Sequence, residues 1–261
     1  MTNKDRPVAI VTGSTKGIGR GILDCLVQQG YAVVVTSRNY TQAQSHAKKI
    51  CENGGRAVGL RFNLEEQNDI DTIIGQTLEH FGHIDLLVNN ALSATCVPNF
   101  EDLDGLSITN AVTANLTNIL LLCKAAKPYL ANTKGSIINI GSVVVNKPIL
   151  GMALYAIIKG GLAQMTKSLA SEWAKELIRV NCIQPGFIYS SALEEFKVPP
   201  EVIAKTYAHC QQFHPLGNKI GKPEDVGNLV VYLASKQAKF ITGSIVNVDA
   251  GYSVQGISLQ P

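Results

Sequence analysis

Residues 8–30 read VAIVTGSTKGIGRGILDCLVQQG, an apolar run that passes through a glycine-rich loop into a helical pattern. No other feature of the chain restricts the fold as much. An apolar run without polar alternation reads as a strand buried on both faces. Ile18, Ile22, Leu26 and Gln29 then fall at helical spacing, and Gly30 supplies a helix-stop signal. Strand, glycine turn and helix form the first half of a β-α-β unit, the connection that parallel strands require.

The same grammar continues to the end of the chain. Strand-like runs follow at AVVVTS, RAVGLRF, IDLLVNN, GSIINIGS, IRVNCIQPG and SIVNVDAG. Helical stretches separate them; Ile70, Ile73, Ile74, Thr77, Leu78 and Phe81 share one face of a helix. There is no internal repeat and no low-complexity linker. With 261 residues, 46% apolar and 16% charged, the chain can bury a full core. The expectation is a single-domain α/β fold spanning 1–261. It is a Rossmann-type, doubly wound parallel sheet of about seven strands with helices on both faces. Ligands of such sheets bind at the carboxyl edge.

Several function classes are excluded by composition. Net charge is +3 and no basic block exceeds Lys48-Lys49, so no nucleic-acid or membrane patch is expected. The start, MTNKDRPVAIVTG, lacks a signal-peptide core, and the apolar stretches, such as NILLLCKAA, are expected to fall short of a bilayer span. The six cysteines (25, 51, 96, 123, 182 and 210) form no C-x-x-C pair and read as reduced thiols in a cytoplasmic protein. The sequons at Asn39 and Asn115 are then accidental.

The loop TGSTKGIG, residues 12–19, puts glycines at 13, 17 and 19. Gly13 suits the tight turn. Gly17 and Gly19 remove side chains where backbone must approach a pyrophosphate and where the helix packs on the strand. The helix N-terminus offers N–H groups and a positive dipole end to phosphates. Gly13, Ser14, Thr15, Lys16, Gly17, Ile18 and Gly19 are therefore candidate cofactor-binding residues. The G-K-[ST] ending of a P-loop is missing.

A reactive constellation lies in GSVVVNKPILGMALYAIIKGG, residues 141–161. Tyr155 and Lys159 are four apart, so a helix stacks them on one face. Ser142, at the end of SIINIGS, falls at the ligand-binding edge. A free tyrosine titrates at about pH 10. A neighbouring ammonium favours the phenolate and lowers that value. Tyr155 then serves as general acid for a ketone or general base for an alcohol, with Ser142 holding the substrate oxygen. The hydride belongs to the cofactor.

Together, TGSTKGIG, NNA (89–91), Asn115, Ser142, YAIIK (155–159) and PG (185–186) make the chain resemble the single-domain short-chain dehydrogenase/reductases, notably their 3-oxoacyl-ACP-reductase-like members, over about residues 6–252. The resemblance implies catalytic roles for Asn115, Ser142, Tyr155 and Lys159. Asn115 would hold a water linking Lys159 to solvent, and Lys159 would also bind the nicotinamide ribose. Asn63, Leu64, Asn90 and Ala91 would contact the cofactor, and Pro185, Gly186 and Ile188 would line the nicotinamide pocket. It also implies a homotetramer. Enoyl reductases of this superfamily place six residues between Tyr and Lys; here there are three. That spacing favours C=O over C=C reduction.

The chain departs from the family in four places. Leu92 stands for the usual glycine after NNA, and is expected to hold a permitted φ and either point away from the cofactor or narrow the cofactor or substrate site. Asn63 replaces an aspartate that meets the adenine amino group; its amide oxygen accepts the same bond. Ser190 replaces a threonine and keeps the hydroxyl. Ala250 replaces a glycine.

The remaining expectations concern substrate and cofactor. Residues 190–215 correspond to a variable substrate lid, in which Glu194 and Glu195 read as a solvated face. His209, Cys210 and His214 fit no standard metal site, so no metal is expected. Val143, Val144, Val145, Ile149, Leu150 and Met152 read either as core or as the wall of an apolar pocket. Trp173 reads as packing. No acid occurs between Asp24 and Glu52, where NAD-preferring chains place one against the adenosine ribose. Arg38, with Ser37 and Lys16, instead suits a 2′-phosphate, so NADP(H) is expected over NAD(H). The expected reaction is hydride transfer to or from a small carbonyl or alcohol: a 3-oxoacyl thioester, a small ketone, or a sugar or polyol. An NAD(H)-dependent dehydrogenase and a non-catalytic dinucleotide sensor are the alternatives.

Overall fold

The computed structural model describes residues 6–93, 100–190 and 198–256. Seven strands form one sheet: β1 (Val8–Val11), β2 (Ala32–Ser37), β3 (Arg56–Arg61), β4 (Leu86–Asn89), β5 (Ser136–Ile140), β6 (Arg179–Pro185) and β7 (Ile245–Val248). Their order is β3-β2-β1-β4-β5-β6-β7, and all neighbours run parallel. The chain starts in the middle, winds out to β3, then returns beside β1 and winds out to β7. The reversal falls between β1 and β4, and it opens a crevice at their carboxyl ends.

Period-2 alternation within the buried strands supplies two cores. Ile10, Val34, Leu60, Leu87, Ile137 and Val180 face one side. There they meet α3 (Gln67–Phe81), α5 (Asn118–Thr133) and α6 (Ala153–Trp173) through residues such as Ile73, Leu122 and Leu169. Ala9, Val11, Val33, Val35, Val88 and Ile183 face the other. There they meet α1 (Gly17–Gln28), α2 (Tyr40–Glu52) and α8 (Pro223–Ala234) through Ile22, Ala47 and Val230. Two further helices, α4 (Gly105–Val112) and α7 (Pro200–Gln211), flank the carboxyl edge. This is the expected Rossmann-type arrangement, and Trp173 lies in the first core as packing.

One expectation needs correction. The run Gly105–Thr133 is long and apolar enough to cross a membrane by length and composition. Its apolar residues Ile119, Leu122, Cys123, Ala126 and Leu130 lie instead in the core against the sheet. The described cysteines (25, 51, 123, 182 and 210) are all free thiols; Cys96 lies outside the described residues.

Two glycines set the contact between α1 and α8. A methyl on Gly21 would stand 2.3 Å from Pro223 Cβ and 2.6 Å from its carbonyl carbon. A methyl on Gly227 would stand 2.8 Å from Gly21 O. The helices therefore cross nearly backbone to backbone. Gly21→Ala should destabilise the protein by about 1–3 kcal/mol, because backbone must move. Gly75→Ala, in the exposed middle of α3 with open space around it, should stabilise by about 1 kcal/mol. Urea midpoints of the two variants give the comparison.

Candidate active site

At the crevice, side chains replace the strand ladder. Gly13 N–H donates to Thr36 Oγ1 (2.7 Å), and that hydroxyl donates to Val11 O (3.0 Å). Thr12 Oγ1 accepts from Asn90 N (2.9 Å) and Ala91 N (3.0 Å) and donates to Val88 O (3.2 Å). Asn90 Nδ2 donates to Thr12 O and Gly13 O at 2.9 and 3.1 Å. Gly13 and Gly17 take φ of +65° and +54°, values that suit glycine. Gly19 is needed for space: a methyl there would stand 2.3 Å from Gly13 O and 2.4 Å from Asn90 Nδ2. The result is a loop pulled flat against the strand ends.

A cavity of about 330 Å³ runs along this edge. At one end lie Ser37, Arg38, Asn63 and Leu64; at the other lie Ser142, Tyr155, Lys159, Pro185 and Gly186. Gly13, Thr15, Lys16, Gly17, Ile18, Gly19, Asn90 and Ala91 line the stretch between. Among the described residues, the N-cap position Lys16 makes no side-chain capping bond to the first turn of α1, which abuts this stretch. Its leading N–H groups suit an anion. A long groove with an anion cradle at its middle and cations at Lys16 and Arg38 fits a dinucleotide.

Tyr155 and Lys159 lie on α6, and Lys159 is buried, with only 5% exposed. Its Nζ is 5.7 Å from the centre of the Tyr155 ring and donates to Ile140 O at 2.7 Å. Ser142 is buried at the end of β5, and its Oγ accepts from Val144 N at 3.4 Å. Cys182 lies close by, 2.8 Å from where a Gly141 methyl would be. Burial pushes its thiol up to about 11, against the opposing pull of the Lys159 ammonium. Cys182 is thus a protonated thiol at neutral pH and no nucleophile.

Three of the expected site residues do not line the cavity. Ser14 is fully buried; its N–H donates to Thr36 O and its hydroxyl accepts from Thr36 N, which ties the loop to β2. Ile188 is buried in the second core and bridges Gly221, off the cavity that Pro185 and Gly186 line. Asn115 sits in a π-helical turn, Thr113–Thr117, between α4 and α5. Its Oδ1 accepts from Ser93 N (2.8 Å) and its Nδ2 donates to Ser93 O (3.3 Å) and Ala111 O (3.0 Å). The amide therefore clamps the segment after β4.

Other residues singled out in the sequence have definite places. Leu92 is among the residues that line the cavity, 40% exposed, at an ordinary φ. Ala250 holds φ +48°, a conformation that favours glycine. Val143 and Val144 are buried and Leu150 is fully exposed, so none of the three forms a wall of this cavity. Glu194 and Glu195 lie outside the described residues. His209 Nδ1 meets Gln212 Nε2 at 2.8 Å, and His214 Nδ1 meets Cys210 O at 3.0 Å.

Sequence reasoning missed three residues that hold the groove. Asp69 accepts from Arg61 Nη1 (2.5 Å) and from Asn63 N (2.7 Å), which fixes the turn after β3. Ser93 donates to Glu65 Oε1 at 2.5 Å, which joins that turn to the segment after β4. An aspartate on the first turn of a helix is the only local sign of the first; the Ser93–Glu65 pair leaves none.

Comparison with known proteins agrees with this geometry. A family model described as enoyl-(acyl carrier protein) reductase matches residues 13–253. A 3-oxoacyl-[acyl-carrier-protein] reductase of Synechocystis sp. is 34% identical over 256 residues, 96% of this chain and 98% of the relative. The chain belongs to the short-chain dehydrogenase/reductase family. A 3-oxoacyl-[acyl-carrier-protein] reductase of Aquifex aeolicus is 34% identical over 94% of the chain and 96% of its own length. A cyclohexanol dehydrogenase of Acinetobacter sp. is 32% identical over 97% and 98%. Within this fold, Asp69→Ala leaves the Asn63 amide and Arg61 without this acceptor. The expected loss is about 1–3 kcal/mol, read from the shift in the urea midpoint.

Proposed function

We propose that this chain is an NADP(H)-dependent ketoreductase acting on a 3-oxoacyl thioester or small ketone. One observation carries the reading: Tyr155, Lys159 and Ser142 line the same groove as the glycine loop. The cofactor, when bound, supplies or accepts the hydride. Tyr155 gives its proton to the carbonyl oxygen as the hydride arrives. Ser142 donates a hydrogen bond to the same oxygen and orients it. Lys159, anchored at Ile140 O, keeps an ammonium beside the Tyr155 ring and eases loss of its proton. Asn115 takes a positioning part, since its amide holds the Ser93 segment. The matched family model carries an enoyl-reductase description. The three-residue gap between Tyr155 and Lys159 supports carbonyl chemistry instead.

The relatives' names divide between a 3-oxoacyl thioester and a cyclic alcohol, so substrate class is tested directly. Purified protein is assayed at 340 nm with NADPH or NADH against acetoacetyl thioesters, diketones and sugars. Turnover of a 3-oxoacyl thioester or ketone supports the reading; cofactor binding with no turnover on any substrate points to a sensor. Tyr155→Phe should lower kcat at least 100-fold, the scale of lost general acid catalysis, with cofactor affinity nearly unchanged. A variant that keeps most of its rate removes Tyr155 from the acid's role.

The preference for NADP(H) rests on Ser37 and Arg38 at one end of the groove and Lys16 in the adjoining stretch, with no acid on the segment that follows β2 up to Glu52. Arg38 is exposed at the end of β2, so its guanidinium reaches a phosphate without losing much hydration. Arg38→Asp should weaken NADPH at least tenfold more than NADH, measured by nicotinamide fluorescence titration. Equal affinity of the unmodified protein for both cofactors contradicts the assignment. A cytoplasmic homotetramer completes the reading, on family resemblance; light scattering measures the assembly.

A further inference from the structure

A second cavity, about 980 Å³, lies between α1 and α7 and shares Gly17 and Ser190 with the cofactor groove. Ile203, Ala204 and Tyr207 form its α7 wall. Tyr207 also reaches across to the groove. Its hydroxyl donates to Ser190 O and accepts from Ser190 N, both at 3.1 Å. A hydroxyl carries one proton and two lone pairs, so both bonds form together. The Tyr207 ring packs on Tyr189 with centroids 4.7 Å apart.

The position of Ser190 gives this pair its meaning. Up to Tyr189 the strand-end segment is held by backbone: Gly221 N donates to Phe187 O (3.0 Å), and Tyr189 N donates to Gly221 O (2.9 Å). One residue later the Tyr207 hydroxyl meets both the N–H and the C=O of Ser190. A side chain here does what a neighbouring strand does elsewhere. It also makes the wall of the cofactor groove depend on the seating of α7.

We propose that Tyr207 is a positioning residue whose hydroxyl sets the Ser190 wall of the groove and couples the seating of α7 to cofactor binding. The proposal rests on the reading that this groove takes a nicotinamide dinucleotide. With the tie made, the wall is preformed, and the cofactor binds without ordering it. Without the hydroxyl, the ring and its contact with Tyr189 remain, but the cofactor must order the wall as it binds.

Tyr207→Phe tests this, with Tyr232→Phe, an exposed side chain on α8, as the control for loss of a tyrosine hydroxyl. NADPH dissociation constants come from nicotinamide fluorescence, alongside kcat, KM for NADPH and the thermal midpoint. Tyr207→Phe should raise both Kd and KM for NADPH about tenfold, with kcat within about twofold. Tyr232→Phe should match the unmodified protein. An unmoved or tighter Kd overturns the proposal, and so does a fall in kcat and thermal midpoint without a change in KM, which marks a purely structural role. Failure of the unmodified protein to bind either dinucleotide removes the parent reading, and this proposal with it. A bound cofactor with an unmoved Kd removes this proposal alone.

Discussion

The carboxyl ends of β1 and β4 must part to make a crevice, and their peptide groups must still be paired. That requirement governs the rest of the molecule. Thr12, Thr36 and Asn90 meet it with hydroxyl and amide groups in place of a missing strand. Each side chain bonds backbone on another element, so the glycine loop, the end of β2 and the end of β4 move as one body. Buried backbone polar groups left unpaired would cost about 1–3 kcal/mol each, enough to collapse the crevice.

A second polar chain places α6 on the sheet. Asn89 Nδ2 donates to Asn139 Oδ1 (2.8 Å), and Asn139 Nδ2 donates to Thr166 Oγ1 (2.9 Å). Thr166 Oγ1 donates in turn to Leu162 O (2.9 Å). These bonds lie inside the hydrophobic layers, where hydrogen bonds are strong and misplacement is costly. Sliding α6 by one turn would break them. The register of Tyr155 and Lys159 over Ser142 is thus set from beneath, by residues that do not line the cavity.

Much of this was legible in the sequence. The central strands announce themselves as apolar runs, because both of their faces are buried. Tyr155 and Lys159 are legible because a helix turns local spacing into a shared face. Ties between distant segments were not. Ser93 and Glu65 are 28 residues apart, and Tyr207 and Ser190 are 17 apart. No periodicity links such partners. The π turn at Asn115 is equally silent, since one extra residue hardly disturbs a helical pattern.

The central place of β1 has a consequence for how the molecule comes into being. Its partners are β2 and β4, and β4 ends at Asn89. A chain emerging from the ribosome can complete β1, β2 and β3 while one edge of β1 still stands open. That edge is buried and apolar in the finished protein, so until residue 89 arrives it is a template for the wrong strand. The groove, drawing on residues from Gly13 to Gly186, is assembled later still. Ligand cannot shorten the interval in which that edge of β1 stands open to wrong pairing.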